Sequence, residues 1–261
     1  MSAAAEELTQ AYVSGKPIAP LRERLVTPGD VAAAYEIQQE QVDAWVTAGR
    51  RRVGAKIGLT APAVQRAFGV YQPDFGVLFA DMAVPSSSEI DSTALLQPRV
   101  EAEVAFVLSR DLDLEQVTVV DVLRATDFLL PAIEVVDSRI AGWDISIVDT
   151  VADNASSGMY VLGTTPRKVG DVDLRLCGAV VEHRGEPVSV GAGAACLDNP
   201  LHAVAWLAST LATHGTPLRA GDLVLSGALG PMVPAVAGES YEARISGLGT
   251  VRATFSKEAG R

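Results

Sequence analysis

The sequence predicts an α+β fold in which a small N-terminal helical region, residues 1–50, packs on one larger β-rich catalytic domain, residues 51–261, and three observations carry that prediction. Residues 3–14 are good helix formers, and Val31, Tyr35, Ile37, Val42 and Trp45 recur at near-helical spacing. From Val53 onward the texture changes to short β-branched runs broken by Gly, Pro, Asp and Ser. No Ser/Gly linker or internal repeat separates the two textures, so helices come first and strands follow in one body.

Punctuation places the elements. A helix is expected over 28–48, with Thr27 as its cap, Pro28 at its first position, Asp30 where a capping-box acid belongs and Gly49 ending it in a left-handed conformation. Residues 53–60 are strand-like, and Gln72-Pro73-Asp74-Phe75-Gly76 predicts a turn. Strands are expected over 99–109, 128–138, 158–162, 173–182, 222–226 and 241–255. Helices interrupt them at 118–126 and at 200–214, the second capped by Asn199 and closed by Gly215.

Composition excludes several classes of function. A formal charge of −11 repels a phosphate backbone, and no basic cluster larger than Arg50-Arg51-Arg52 offsets it, so nucleic acid is not an expected partner. The longest apolar runs, such as 128–133, fall far short of the ~20 residues of a membrane span. The first residues carry neither a basic nor an apolar leader segment, which predicts a cytoplasmic protein. In that reducing compartment Cys177 and Cys196 are expected as unpaired core residues. No Gly-x-Gly-x-x-Gly opens a helix and no Gly-x-Ser-x-Gly is present, which argues against nucleotide cofactors and a serine-hydrolase nucleophile.

The chemistry concentrates in a few segments. Glu101 and Glu103 lie two apart in a strand-like run and so share a face, where like charges are costly unless a cation or basic group sits between them. The alternative is a solvated strand face. Glu134 stands alone in a run too apolar for a surface strand and is the natural third member of the group, unless it is a buried ion-pair partner of Arg99 or Arg139. Three carboxylates without His or Cys make a hard oxygen site suited to Mg²⁺ or Mn²⁺ rather than zinc. Lys56, flanked by glycines, could face an anionic substrate or simply extend along the surface. Asp74 could serve as a general base from its turn, or only shape that turn. The polar stretch 150–158, with Asp153 and Ser156, could wall a pocket or be an ordinary loop. Residues 225–232, around Leu229, supply small side chains that let backbone approach a ligand.

Taken together, Lys56-Ile57-Gly58-Leu59-Thr60, Gln72-Pro73-Asp74-Phe75-Gly76, Glu101-Ala102-Glu103, Pro131-Ala132-Ile133-Glu134-Val135-Val136-Asp137-Ser138-Arg139 and Val151-Ala152-Asp153-Asn154-Ala155-Ser156 closely resemble the hydratase/decarboxylase family of the fumarylacetoacetate hydrolase superfamily. The resemblance implies a fumarylacetoacetate-hydrolase-like β-rich roll with an N-terminal helical region. It implies that Glu101, Glu103 and Glu134 bind Mg²⁺ or Mn²⁺ while Lys56, Asp74, Asp153, Ser156 and Leu229 serve the substrate. It also implies a homo-oligomer, pentameric or decameric, and a role in meta-cleavage catabolism of aromatic compounds or steroids, with an aldolase as a possible partner. Within the family, Gly227-Ala228-Leu229-Gly230-Pro231-Met232 resembles the hydratases of 2-hydroxypenta-2,4-dienoate more than the 4-oxalocrotonate decarboxylases. Decarboxylation is therefore the alternative reaction, and a non-catalytic partner subunit the alternative of another class.

Overall fold

A computed structural model describes residues 1–22 and 24–257. In chain order its principal elements are α1 (Ala3–Ser14), α2 (Val31–Thr47), β1 (Arg52–Gly58), α3 (Pro62–Phe68), β2 (Asp74–Phe79), β3 (Glu89–Ile90), β4 (Arg99–Leu108), α4 (Val119–Ala125), β5 (Thr126–Val136), α5 (Ile147–Ala152), β6 (Ser157–Leu162), β7 (Gly178–His183), β8 (Glu186–Ala192), α6 (Pro200–Thr213), β9 (Leu223–Leu225), β10 (Val233–Pro234), β11 (Ser240–Ile245) and β12 (Gly249–Phe255).

Two sheets organise the molecule. The larger runs β2-β1-β9-β4-β5-β6, with β10 on β4, and the smaller runs β3-β12-β11-β7-β8. Their inner faces share one core, in which Val104, Phe106 and Ile133 join Tyr241, Ala243, Val251 and Phe255. The long β4–β5 pair is antiparallel and sets Glu101 directly opposite Glu134. Neighbouring strands carry β1 into the same sheet, with Lys56 paired to Gly76 of β2 and to Leu225 of β9.

The N-terminal helices bury their apolar stripe against the segment that follows β5. Ala4, Ala5, Leu8, Leu21, Ala34 and Ile37 cluster with Ile140, Ile147, Val148 and Val151. Two buried glutamines complete the joint. Gln38 donates to the carbonyls of Phe75 and Val151 at 3.0 and 2.9 Å, and Gln41 donates to that of Ala152 at 2.7 Å. Helix α2 thus braces β2 and α5, the two elements that flank the site.

Several local expectations are corrected. Helix α2 starts at Val31, because Asp30 itself is the cap and accepts from the Ala33 N–H at 3.0 Å, leaving Pro28 and Gly29 in the preceding turn. Asp74 opens strand β2 rather than sitting in a turn, and every residue of that strand is buried. Strand β7 begins only at Gly178, and β8 was not foreseen because Pro187 and Gly191 break its pattern. Residues 150–156 are not a plain loop, since α5 covers Ile147–Ala152 and a tight left-handed turn covers Asn154–Ser156. Helix α6 follows its expected punctuation, with Asn199 accepting from the Leu201 N–H at 3.0 Å.

Candidate active site

The β4–β5 register turns two local observations into one site. Glu101 and Glu103 project from the same face of β4, and Glu134 meets them from β5. One carboxylate oxygen from each of the three lies within 4.8 Å of the others. Glu103 and Glu134 are almost fully buried, at 0 % and 1 % exposure. Glu134 finds neither Arg99 nor Arg139: its Oε1 lies 3.2 Å from Lys56 Nζ. Arg139 pairs with Asp153, and Arg99 stacks on the Trp143 ring at 4.4 Å.

Asp74 completes the cluster from the first residue of β2. Its carboxylate lies against Gly58, where an added Cβ would stand 2.1 Å from Asp74 Oδ1, so only glycine lets the acid enter here. Gly227 does similar work on the opposite side. With φ at 101° it turns its N–H to Glu103 Oε2 at 2.9 Å, and a Cβ there would strike Thr60.

Lys56, Asp74 and Glu101 face a cavity of about 400 Å³, while Glu103 and Glu134 stay buried beside Glu101. The cavity's polar lining includes Lys56, Asp74, Glu101, Thr150 and Ser156, and its apolar lining includes Val64, Phe68, Trp143, Ile145 and Met232. Lys56 is its only basic side chain among the described residues. Two larger recesses lie elsewhere, one bordered by Leu95–Arg99 and Pro234–Ala237 and one across β7, β8 and β11, but neither gathers a carboxylate cluster.

Electrostatics shows what the cluster lacks. Four carboxyl groups share one ammonium. Burial, then the charge of Glu134, pushes Glu101 up to about 7. Glu103 rises well above the carboxylate range through burial and through Glu134 and Glu101, despite the Gly227 N–H. Burial raises Asp74 as well, against the opposing Lys56 charge. Burial alone would lower Lys56, but Glu134, Asp74, Glu101 and Glu103 hold its ammonium above the ordinary value. Glu103 Oε1, Glu134 Oε2 and Asp74 Oδ1 have no hydrogen-bond partner among the described residues, and Glu134 Oε1 meets only the Lys56 ammonium. Buried carboxylate oxygens left unpaired in this way are costly, and a hard dication with oxygen ligands meets the deficit. The donor set therefore fits Mg²⁺ or Mn²⁺.

A stability prediction follows from these shifts. In metal-free protein the raised Glu101 keeps its proton in the fold up to about 7, whereas an unfolded glutamate releases it near 4.5. The native state then binds more protons over that interval, so stability falls as pH rises through it. A dication replaces those protons, and its affinity grows as they leave. Adding MgCl₂ should raise the melting temperature more at pH 8 than at pH 5. Equal gains at both pH values would contradict a carboxylate site for the metal.

Of the residues singled out in the sequence, the structure brings Lys56, Asp74, Glu101, Glu103, Glu134 and Ser156 together. It does not bring Asp153 or Leu229 to the cavity. Asp153 turns away, because its buried carboxylate accepts from the Arg139 guanidinium and backbone N–H. The Leu229 side chain packs in the main core, and its backbone donates to Ala102 O and accepts from the Ala192 N–H, so its neighbours Ala228 and Gly230 line the cavity instead. Thr150 was missed. Its hydroxyl lies 3.3 Å from Ser156 Oγ and beside Asp74, and its place one turn before Asp153 was the available signal.

Comparison with known proteins places this geometry. Residues 60–256 match the family model described as fumarylacetoacetate (FAA) hydrolase, C-terminal. The chain belongs to the fumarylacetoacetate hydrolase family. It is 56 % identical to TodF product hydratase of Pseudomonas putida over 97 % of this chain and 94 % of that protein. It is 55 % identical to 2-keto-4-pentenoate hydratase of Paraburkholderia xenovorans, with 97 % and 93 % covered. A solved structure, 4-oxalocrotonate decarboxylase from Pseudomonas putida complexed with magnesium and adipate, superposes with a TM-score of 0.92 at 35 % identity, covering 97 % of this chain and 96 % of that one. The family and the α+β roll with a helical N-terminus agree with the sequence reading.

Proposed function

We propose that this protein is a hydro-lyase that adds water to 2-hydroxypenta-2,4-dienoate, or a close analogue, to give 4-hydroxy-2-oxopentanoate. One observation carries the reading: Glu101, with a carboxylate oxygen within 4.8 Å of oxygens from Glu103 and Glu134, borders a cavity that also presents Lys56 and Asp74. Relatives named 2-keto-4-pentenoate hydratase and, at 40 % identity, 2-hydroxyhexa-2,4-dienoate hydratase of Comamonas testosteroni support it.

Glu101, Glu103 and Glu134 would hold Mg²⁺ or Mn²⁺. The bound dication supplies Lewis-acid polarisation of the substrate's 2-oxygen. Lys56 binds the substrate carboxylate. Asp74, whose pKa is raised by burial, delivers a proton to C5 and recovers one from the 2-hydroxyl, which gives the 2-oxo-3-enoate with no net change at the acid. Ser156 and Thr150 orient water towards C4. Hydroxide equivalent bonds to C4, and the remaining proton goes to C3. We propose further that the chain works as a homo-oligomer in meta-cleavage catabolism, where an aldolase would consume its product.

A second reading, decarboxylation of a longer 2-oxo diacid, is favoured by the likeness to the adipate-bound decarboxylase. The cavity lining favours the monoacid, because among the described residues it holds no basic side chain besides Lys56 to meet a second carboxylate. Incubation with MgCl₂ and each substrate separates the two. The expected product gains water, and the monoacid should exceed the diacid by about tenfold or more in kcat/KM. Release of CO₂ from the diacid at the higher efficiency would overturn the hydratase reading.

A further inference from the structure

Asn154, Ala155 and Ser156 hold φ values of 50°, 51° and 53°, three consecutive non-glycine residues in the left-handed region. Asparagine tolerates that conformation, but alanine and serine enter it against a steric penalty, and such strain persists only where surrounding structure imposes it. Ala155 and Ser156 line the cavity. The strained turn is therefore what carries the Ser156 hydroxyl to its place beside Thr150.

The structure shows what imposes it. Arg139 is fully buried. Its guanidinium donates through Nε to Asp153 Oδ1, through Nη2 to Asp153 O at 2.7 Å and through Nη1 to Ser157 O at 2.9 Å. Its backbone N–H donates to Asp153 Oδ2 at 3.0 Å. One side chain thus grips the residue before the left-handed triplet and the residue after it. The planar fork has the geometry for this, which a lysine ammonium lacks. Tyr12 of α1 covers the guanidinium, its ring centroid 4.4 Å from Cζ. Within the turn, Asn154 exchanges two hydrogen bonds with the Val77 backbone at 2.8 and 3.0 Å, which fixes the first left-handed residue against β2.

We propose that Arg139, acting through Asp153 and Ser157, is a positioning residue for the reaction, clamping both ends of the left-handed turn so that Ser156 is presented to the substrate. This rests on the hydratase reading for Ser156's task. Arg139 does not itself line the cavity.

The test compares Arg139→Lys, Asp153→Asn and Arg139→Lys combined with Ala155→Gly, assayed with saturating MgCl₂ well below their melting temperatures. Folding is checked by circular dichroism. Arg139→Lys keeps the charge but loses the fork, and kcat should fall about tenfold or more while KM changes less, because Ser156 acts after substrate has bound. Ala155→Gly removes the penalty for the left-handed turn and should restore kcat at least threefold in the Arg139→Lys background. A purely structural role would lower the melting temperature and leave kcat alone. Should Arg139→Lys fail to fold, Asp153→Asn decides, since it preserves shape and weakens the same grip. Wild-type kcat in a folded Arg139→Lys, or in Asp153→Asn where that variant decides, overturns the clamp. A wild-type protein that hydrates no dienoate overturns the hydratase reading instead.

Discussion

Replacing Glu103 with glutamine should cut magnesium-dependent hydration by about 10²–10⁴-fold in kcat/KM while making the metal-free protein more stable at pH 8. The first effect follows from removing one charge of the trio. Metal catalysis is worth several kcal/mol of transition-state stabilisation, and each ~1.4 kcal/mol is tenfold in rate. The second follows from burial. Glu103 is fully buried, raised well above the carboxylate range, and has one oxygen without a partner among the described residues. Ionising it without a cation costs the fold, and a neutral amide removes that cost. Glutamine also keeps an oxygen for the Gly227 N–H, which alanine cannot. Glu103→Ala should therefore lose activity as fully but gain less stability. Thermal melts with EDTA and with MgCl₂ check both signs. Full turnover in both variants would overturn the role of Glu103 in holding the metal, whereas a purified wild-type protein with no turnover at all would revive the alternative of a non-catalytic subunit.

The uneven legibility of this site has a physical cause. Glu101 and Glu103 were legible because a strand's two-residue period is local, and one burial argument reaches both. Glu134 was legible as a buried acid, but its partner was not. Lys56 reaches it across a sheet in which β9 and β4 stand between β1 and β5, and that order is set by pairing far apart in the chain. Asp74 was placed in a turn because Gln72-Pro73 precede it, while β2, buried along its whole length, offers no alternation that announces a strand. Leu229 shows the opposite error. A run of small residues suggested contact with ligand, but small neighbours let this leucine sink into the core while the backbone beside it forms the cavity wall. Asp153 was drawn to the substrate by its nearness to Ser156. The turn between them reverses its direction, and only the structure shows Arg139 waiting on the other side.

Lys56→Met should separate two roles that a single charge plays. Lys56 is the only basic side chain lining the cavity among the described residues, so on the proposed reading its loss removes the charged anchor for the substrate carboxylate. Loss of one preorganised electrostatic contact of this kind costs about 10²–10³ in rate. The same ammonium lies 3.2 Å from Glu134 Oε1 and competes with any cation for that oxygen. At an effective dielectric of ~20 the repulsion between an ammonium and a dication a few ångströms apart amounts to several kcal/mol. Removing it should strengthen Mg²⁺ binding by about tenfold or more even as turnover collapses. Calorimetric titration with MgCl₂ in the absence of substrate reads the first effect and steady-state kinetics the second. A damaged fold would weaken both together, whereas a lysine that merely balances the glutamates would let magnesium restore the rate. Tighter metal with slower chemistry is the outcome that only a substrate-facing lysine beside the metal ligands produces.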